Sequence, residues 1–377
     1  MEIVGIVAEY NPFHGGHRHQ IAAARAQAGD CAVVCAMSGN FVQRGECAVT
    51  DKWARARMAL EGGADLILEL PTVWAVSSAE PFALGGVGVL HAAGATALSF
   101  GSETGDRAAL ERVAQALDTP EFTQALQPFL ARGLPFAQCR HLAVQALLGE
   151  AGAACLGNPN DNLGVEYLRA ARRLGWNPHI YPVLRVGAGH DGGHHPLYPS
   201  ASYVREEIRF GFTMEDNWAF LEYNQRGMLA RLRQLEVSDW EQLPDCGEGL
   251  AQRLYRAVRQ GTCLEEIYDL AKTKRYAHAR IRRAVLWGAL GLRAQDRPDR
   301  VPYLRVLGAN ERGLEVLRRL DGFIPVITKP THGKGIPLME LEARCTDFYA
   351  LCRRDVTPCG AEWSTSPVIL QTGENYV

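Results

Sequence analysis

Two histidines three residues apart, His14 and His17, give the first chemical signal in this 377-residue chain. They enclose the pair Gly15-Gly16 and follow an apolar run at residues 3–8 that predicts a buried strand. A helix-compatible run comes next, so the segment is predicted to be strand, tight turn and helix start. Such a junction directs backbone N–H groups and the positive end of a helix dipole at one spot, which suits a phosphate. The imidazoles can donate to phosphate oxygens and stabilise charge that builds there.

A second anion-binding candidate is the pair Ser200 and Ser202 with Arg205 one turn further on. Hydroxyls at a helix start and an arginine could bind a phosphate, although an ordinary N-cap has the same pattern. Arg185 should face the site from the end of a predicted strand, whereas Asn160 could contact adenine or ribose or only cap a helix.

Carboxylates near these groups leave two roles open. Glu9 and Glu103 could orient the histidines or hold magnesium. Gln43 and Arg44, in a polar loop at residues 38–46, are placed to contact substrate, although an ordinary surface loop would look the same. Two histidines without a third ligand nearby make a poor metal site, so we expect no metal ion held by the protein itself.

The elements that would position these groups alternate between strands and helices. Five apolar runs predict strands, at residues 3–8, 31–37, 65–70, 95–100 and 179–184. Helices are predicted between them, one of them with Thr50 as its N-cap. This alternation predicts an α/β fold with a Rossmann-like parallel sheet. Because ligands of such sheets bind at the carboxyl ends of the strands, the polar groups that follow the strands should share one site.

Beyond about residue 212 the strand signals fade, and the chain is predicted to be helical. Between residues 270 and 320 there are 13 basic residues against four acidic ones, with Tyr276, Trp287 and Tyr303 among them. A basic helical module with interleaved aromatics is typical of an RNA surface, although a solvated helix face shows the same pattern. We therefore expect residues 1–210 to form an α/β domain that binds a phosphate group, and residues 211–377 to form a mainly helical, basic domain.

Composition excludes several classes of protein. The net charge of −2 provides no overall field for nucleic acid, so any RNA contact must be local. No apolar run approaches the roughly 20 residues that span a bilayer, and no signal peptide is recognisable, so we expect a cytoplasmic protein without membrane contact. The ten cysteines form no CxxC pair; we expect them to be reduced packing residues without disulfide partners.

Motifs spread over about residues 1–310 are familiar when they are taken together. They lie at residues 5–17, 37–46, 52–55, 100–103, 158–161, 200–202, 274–276, 280–283 and 303–308. The two anion-binding motifs are similar to those of HxGH nucleotidyltransferases, which are related to class I aminoacyl-tRNA synthetases. The whole set resembles the tRNA(Met) cytidine acetate ligase family.

The resemblance implies an enzyme that activates free acetate with ATP to acetyl-adenylate and passes the acetyl group to N4 of the wobble cytidine of elongator tRNA(Met). Mg²⁺ is expected with the ATP, and His14 and His17 are the expected catalytic residues. The implied ATP contacts are Val7, Ala8, Glu9, Tyr10, Asn11, Pro12, Phe13, His14, Gly15, Gly16, His17, Arg18, His19, Gln20, Gly101, Asn160 and Arg185. The resemblance also implies that residues 1–210 are a nucleotidyltransferase-like ATP and acetate domain and that residues 211–377 are the tRNA-binding domain. The candidates for tRNA contact are Lys274, Arg275, Arg280 and Arg283.

Two other functions remain open on the sequence. The chain could be an adenylyltransferase that acts on a small phosphorylated metabolite, with the basic helices as a structural or oligomer surface. It could also be a nucleotide-sensing RNA-binding protein without turnover.

Overall fold

A mixed sheet of eight strands, flanked by helices, organises the chain in a computed structural model that describes residues 1–185, 201–210, 217–320, 322 and 324–371. A two-stranded hairpin stands beside it. The strands described are β1 Glu2–Ala8, β2 Cys31–Ser38, β3 Phe41–Val42, β4 Glu46–Cys47, β5 Leu66–Leu70, β6 Ala97–Ser102, β7 His179–Leu184, β8 Leu304–Ala309, β9 Val326–Ile327 and β10 Val368–Ile369.

Helices fill the connections. Those described are α1 Gly15–Ala28, α2 Lys52–Glu61, α3 Thr72–Ala75, α4 Ala79–Ala92, α5 Arg107–Leu117, α6 Pro120–Ala131, α7 Phe136–Ala153, α8 Pro159–Arg173, α9 Ala201–Phe210, α10 Gln225–Leu232, α11 Val237–Glu241, α12 Leu250–Gln260, α13 Leu264–Ala271, α14 His278–Leu290, α15 Glu311–Arg318, α16 Pro337–Ala350 and α17 Ala361–Ser364.

The five strands predicted from apolar runs form the parallel part of the sheet, in the order β5-β2-β1-β6-β7. In order of appearance among these five, that is 3-2-1-4-5, the arrangement of a Rossmann-like sheet. The predicted fold class is therefore confirmed. The order reverses between β1 and β6, and the crevice at this switch point is where such sheets bind ligands.

Both faces of the parallel strands are covered, which explains why their sequences are almost continuously apolar. On one face, Ile21 of α1 and Leu60 of α2 pack against Val4 and Ile6 of β1. On the other face α4 lies very close to β1. A Cβ on Gly5 would come within 2.8 Å of the Leu90 side chain, so the absence of a side chain permits this approach.

The carboxyl-terminal part of the chain is mainly helical, as predicted, but it also contains strands that the sequence did not indicate. The strands β8, β9 and β10 extend the sheet beyond β5, and β8 runs antiparallel to β5. Arg305 is the second residue of β8 and is fully buried, so the charge that interrupts the apolar pattern of this strand is enclosed within the fold. The division into domains at residue 210 stays a prediction.

Smaller differences concern local signals. Asp51, not Thr50, caps α2, because its carboxylate accepts the N–H of Ala54 at 2.9 Å. The polar loop after β2 contains the β3–β4 hairpin.

The aromatic residues expected on an RNA surface belong to the core instead, because Tyr276, Trp287 and Tyr303 are at most 5% exposed. Eight of the ten cysteines are buried, in agreement with a packing role.

Candidate active site

The turn between β1 and α1 presents two stacked imidazoles at the start of a helix. His14 is the N-cap of α1, and its Nδ1 accepts the N–H of Gly16 at 3.1 Å. Nδ1 of His17 accepts the N–H of His14 at 3.3 Å, and the ring centroids lie 3.8 Å apart. A neutral imidazole that accepts at Nδ1 carries its proton on Nε2. Each ring therefore has an Nε2–H that can donate to a phosphate oxygen.

Both histidines are neutral near physiological pH. Burial lowers the pKa of His14 to about 4, with smaller contributions from Arg185 and Arg205. Burial also lowers the pKa of His17 well below its usual value, and His14 and Arg185 add to that effect. The pair can therefore act as neutral hydrogen-bond donors beside the helix N-terminus, while the positive charge of the site comes from arginines.

The cavity above these histidines has two connected lobes. The phosphate lobe is lined by Glu9, Asn11, His14, Gly16, His17, His19, Gln20, Val42, Arg44, Glu46, Gly101, Asn160, Val183, Leu184, Arg185, Ala201, Ser202 and Arg205. The aromatic lobe shares Glu9, Gly101, Asn160 and other residues with it and adds Val7, Ala8, Tyr10, Gln43, Ala79, Phe82, Phe100, Pro159, Asn162, Leu163, Tyr167, Ala279 and Arg283. The cavity lies where β1, β6 and β7 end, at the expected switch point.

Most of the predicted ATP contacts line this cavity, and a few do not. Pro12, Phe13, Gly15 and Arg18 line neither lobe. Phe13 instead packs against Tyr10, with ring centroids 5.0 Å apart.

The start of α9 closes one side of the phosphate lobe. Arg205 donates to the carbonyl oxygen of Asn11 at 2.9 Å and to Oγ of Ser202 at 3.1 Å. Arg44 reaches the same hydroxyl at 3.5 Å. The predicted pairing of Ser202 with Arg205 is thus present in the fold. Ser200, the third member of that candidate, lies outside the described residues.

Glu103 positions Asn160 and does not contact the histidines. Its carboxylate accepts the backbone N–H of Asn160 at 3.2 Å, the side-chain amide of Asn160 at 2.5 Å and the N–H of Asp161 at 2.9 Å. This caps α8, and the amide oxygen of Asn160 then accepts a hydrogen bond from Arg185 at 3.2 Å. Asn160 thus lies in the first turn of α8 and does not itself cap the helix, whereas its side chain lines the cavity.

The four basic residues predicted to contact tRNA lie in three different environments. Lys274 and Arg275 are exposed and line a groove with Arg253 and Arg256, opposite the turn between α6 and α7. Arg280 is held by Glu248 at 3.0 Å and by the carbonyl oxygen of Asp245 at 2.7 Å. Arg283 lines the aromatic lobe. Only the first two form the exposed basic surface that the sequence predicts for all four.

The sequence reasoning missed the aromatic side of the cavity. Phe82, Phe100 and Tyr167 are apolar positions of a strand and two helices, and nothing in their spacing distinguishes them from core residues. Arg283 reaches the cavity because α14 packs against the loop that follows β2. This contact joins segments that are far apart along the chain, so the sequence pattern does not show it. The motif after β2 did point to Gln43 and Arg44, and both line the cavity.

Comparison with known proteins agrees with this geometry. The model of the HIGH Nucleotidyl Transferase family matches residues 1–362. A tRNA(Met) cytidine acetate ligase of Fervidobacterium nodosum is 36% identical over 87% of this chain and 84% of its own length. The chain belongs to the tRNA(Met) cytidine acetate ligase family. A Clostridium kluyveri member of this family is 31% identical over 98% of this chain and 99% of its own length.

The chain is also similar to solved structures of this family over nearly its whole length. The apo crystal structure of Thermotoga maritima TmcAL matches with a TM-score of 0.92 and 30% identity, over 99% of this chain and 100% of that one. A second TmcAL structure, with α-thio ATP bound, matches with a TM-score of 0.90 over the same shares. Across the described residues of the present chain, every helix is too short or too polar to cross a membrane.

Proposed function

We propose that this protein is an ATP-dependent ligase that activates acetate as acetyl-adenylate and acetylates N4 of the wobble cytidine of elongator tRNA(Met). The observation that carries the proposal is the convergence of His14, His17 and the N-terminus of α1 with Asn160 and Arg185 in one cavity. Relatives with the name tRNA(Met) cytidine acetate ligase align over nearly the whole chain, which supports the same activity here.

The first step needs positioning and charge stabilisation and no protein nucleophile. An acetate oxygen attacks the α-phosphorus of ATP, and pyrophosphate leaves. Nε2–H of His14 and of His17 would donate to the phosphate oxygens as charge moves onto the leaving group, and the positive end of the α1 dipole would add to this stabilisation. Arg185, Arg205 and Arg44 supply positive charge around the same lobe.

Residues on both sides of the switch point are proposed to hold ATP. Gly101 and Arg185, at the ends of β6 and β7, and Asn160, in the first turn of α8, would contact the nucleoside of ATP. Ser202 and Arg205 would contact its phosphates. Mg²⁺ would accompany the triphosphate. Phosphate oxygens and water would supply most of its ligands, and Glu9 and Glu46 line the phosphate lobe.

The tRNA is proposed to approach over the basic helical region. Lys274 and Arg275, with Arg253 and Arg256 beside them, offer cations to backbone phosphates. Arg283 reaches the cavity itself, so the helix α14 connects the proposed tRNA face with the site of chemistry. Since such a substrate is a cytoplasmic RNA, the protein is proposed to work in the cytoplasm.

The test is incubation with ATP, Mg²⁺, isotopically labelled acetate and elongator tRNA(Met), followed by digestion and mass analysis of nucleosides. We expect labelled N4-acetylcytidine, in an amount that depends on ATP and does not require acetyl-CoA. Absence of this nucleoside while ATP is consumed with a small phosphorylated metabolite, independently of tRNA, would make the chain an adenylyltransferase instead. The initiator tRNA, incubated in the same way in place of the elongator tRNA(Met), serves as the specificity control.

A further inference from the structure

Buried aromatic side chains line the aromatic lobe. Among them are Phe82, Phe100 and Tyr167, which are 2%, 3% and 4% exposed. The rings of Phe100 and Tyr167 lie 5.8 Å apart at an interplanar angle of 54°. Enzymes that modify a nucleobase commonly receive it, turned out of its stack, between apolar and aromatic side chains. A base in a single-stranded anticodon loop is the least costly kind to unstack.

The lobe also opens toward the helix that is proposed to face the tRNA. Ala279 and Arg283 of α14 form this edge. Arg283 donates to the carbonyl oxygen of Gln43 at 3.4 Å, and its buried Nε has no hydrogen-bond partner among the described residues. The phosphate lobe has no lining residue from α14. A base that arrives with the RNA along α14 would therefore enter the aromatic lobe, whereas ATP would bind at the ends of β1, β6 and β7.

Glu9 stands where the two lobes meet and lines both of them. Its Oε1 accepts the N–H of Gln43 at 2.7 Å, and among the described residues this is the carboxylate's one hydrogen bond. Burial raises the pKa of Glu9, while Arg205, Arg44 and Arg55 act in the opposite direction. A carboxylate between the site of the activated acetyl group and a chamber for a base is placed to receive a proton from that base.

We propose that the aromatic lobe receives the acceptor cytosine and that Glu9 accepts the proton that its N4 amine loses during acetyl transfer. This assignment rests on the proposed function. N4 attacks the carbonyl carbon of acetyl-adenylate, and the C–N bond forms. The bond from that carbon to the bridging phosphate oxygen breaks, so AMP leaves with both electrons. One N4 proton passes to the Glu9 carboxylate, which returns it to water after the products leave.

The test of Glu9 separates the two chemical steps. Glu9→Gln keeps an oxygen that can accept from Gln43 but cannot take a proton. Adenylation is measured by acetate-dependent exchange of labelled pyrophosphate into ATP. Transfer is measured in a single turnover, after mixing enzyme-bound acetyl-adenylate with tRNA. We expect Glu9→Gln to slow transfer by about 10²-fold or more relative to adenylation, because a general base typically contributes a rate factor of at least this size. Equal loss in both steps, or undiminished transfer, would overturn the role.

A matched control and the wild-type protein keep the outcomes distinguishable. Glu2→Gln removes a carboxylate at the first residue of β1, at the other end of the strand from Glu9. Glu2 contacts His179 and Tyr181 there, and its replacement should change neither step. If the wild-type protein itself makes no acetyl-adenylate or no acetylcytidine, the proposed function fails. If it makes both, only the assignment of Glu9 is at stake.

Filling the chamber from the α14 side tests its occupant. Ala279→Leu should raise the KM for tRNA and slow transfer, with a much smaller effect on the KM for ATP. Ala277→Leu, an exposed change two residues away that lines neither lobe, is the control. A rise in the KM for ATP that matches the rise for tRNA would mean that adenine occupies the chamber. That result, or no effect on either substrate, would overturn the proposal.

Discussion

Replacing the buried Lys52 should destabilise the fold strongly. Its ammonium group lies 2.6 Å from Glu69 and 2.5 Å from Glu362, and all three side chains are at most 1% exposed. The pairing ties α2 to β5 and to α17, more than 300 residues further along the chain. In Lys52→Met both carboxylates would remain in the protein interior without this cation.

The size of the effect follows from the cost of breaking a buried ion pair. Removal of one partner typically costs about 3–5 kcal/mol, because the other charge stays buried and uncompensated. We expect about 4 kcal/mol here, since one carboxylate can take up a proton in the variant. For a chain of this length 1 kcal/mol corresponds to roughly 2 °C in Tm, so Tm should fall by about 8 °C.

The effect should also depend on pH in a defined direction. Burial alone would raise the pKa of Glu362, but attraction to Lys52 and hydrogen bonds outweigh it and hold the pKa below its usual value. Without Lys52 the largest opposing attraction is lost, so the folded-state pKa of Glu362 rises. Burial already raises the pKa of Glu69 against the attraction of Lys52, so without Lys52 that pKa rises further above the unfolded value. The variant's loss therefore grows as pH rises above the unfolded carboxyl pKa and shrinks as pH falls toward it.

Thermal and urea unfolding at about pH 8 and about pH 5.5 would measure this. Lys334→Met, at an exposed position, is the matched control. The double variant Lys52→Met with Glu69→Gln should recover part of the stability, because the carboxylate that pairs with Lys52 is then no longer a buried charge, while Glu362 still lies 3.6 Å from Arg305. A loss below about 1 kcal/mol, or an equal loss at both pH values, would refute the reasoning.

Three further predictions concern function. His14→Ala and His17→Ala should each slow acetate-dependent pyrophosphate exchange by about 10²–10³-fold with the fold intact, since each removes a donor to the phosphates; wild-type rates in both would contradict this. Glu103→Ala should raise the KM for ATP more than it lowers kcat, by releasing Asn160, and Glu103→Gln should recover part of the loss; an unchanged KM in Glu103→Ala would contradict that positioning role. Lys274→Ala and Arg275→Ala should each weaken tRNA binding and reduce the slope of log affinity against log salt by about 1, whereas unaltered slopes would place the RNA elsewhere.

The parallel core of the sheet was predictable because its strands are apolar runs ended by polar turns, as residues 3–8 before the first turn illustrate. β8 was not, because Arg305 interrupts its apolar pattern within a basic region. The partner that makes this charge tolerable is Glu362, 3.6 Å away in space and 57 residues away along the chain. A sequence pattern records only neighbours along the chain, so a strand that depends on a distant counter-charge resembles a solvated segment.

The same distinction applies to the candidate site. His14 and His17 could be singled out because the strand, the turn and the helix start that position them are contiguous. The aromatic lobe could not, since β6, α4, α8 and α14 contribute to it and each contribution is an ordinary apolar or basic residue in its own segment. Glu9 was recognised as a candidate, but its place between the lobes requires the loop after β2 to fold back onto β1.

The most direct test of the central claim follows the oxygen atoms of acetate. Acetate labelled with oxygen-18 at both oxygens is supplied with ATP and elongator tRNA(Met), and the AMP product is analysed by mass spectrometry. If acetate attacks the α-phosphorus and the cytidine amine then attacks the carbonyl carbon, AMP retains the bridging atom and carries one labelled oxygen. Unlabelled AMP, or label in inorganic phosphate with ADP as product, would contradict activation through acetyl-adenylate.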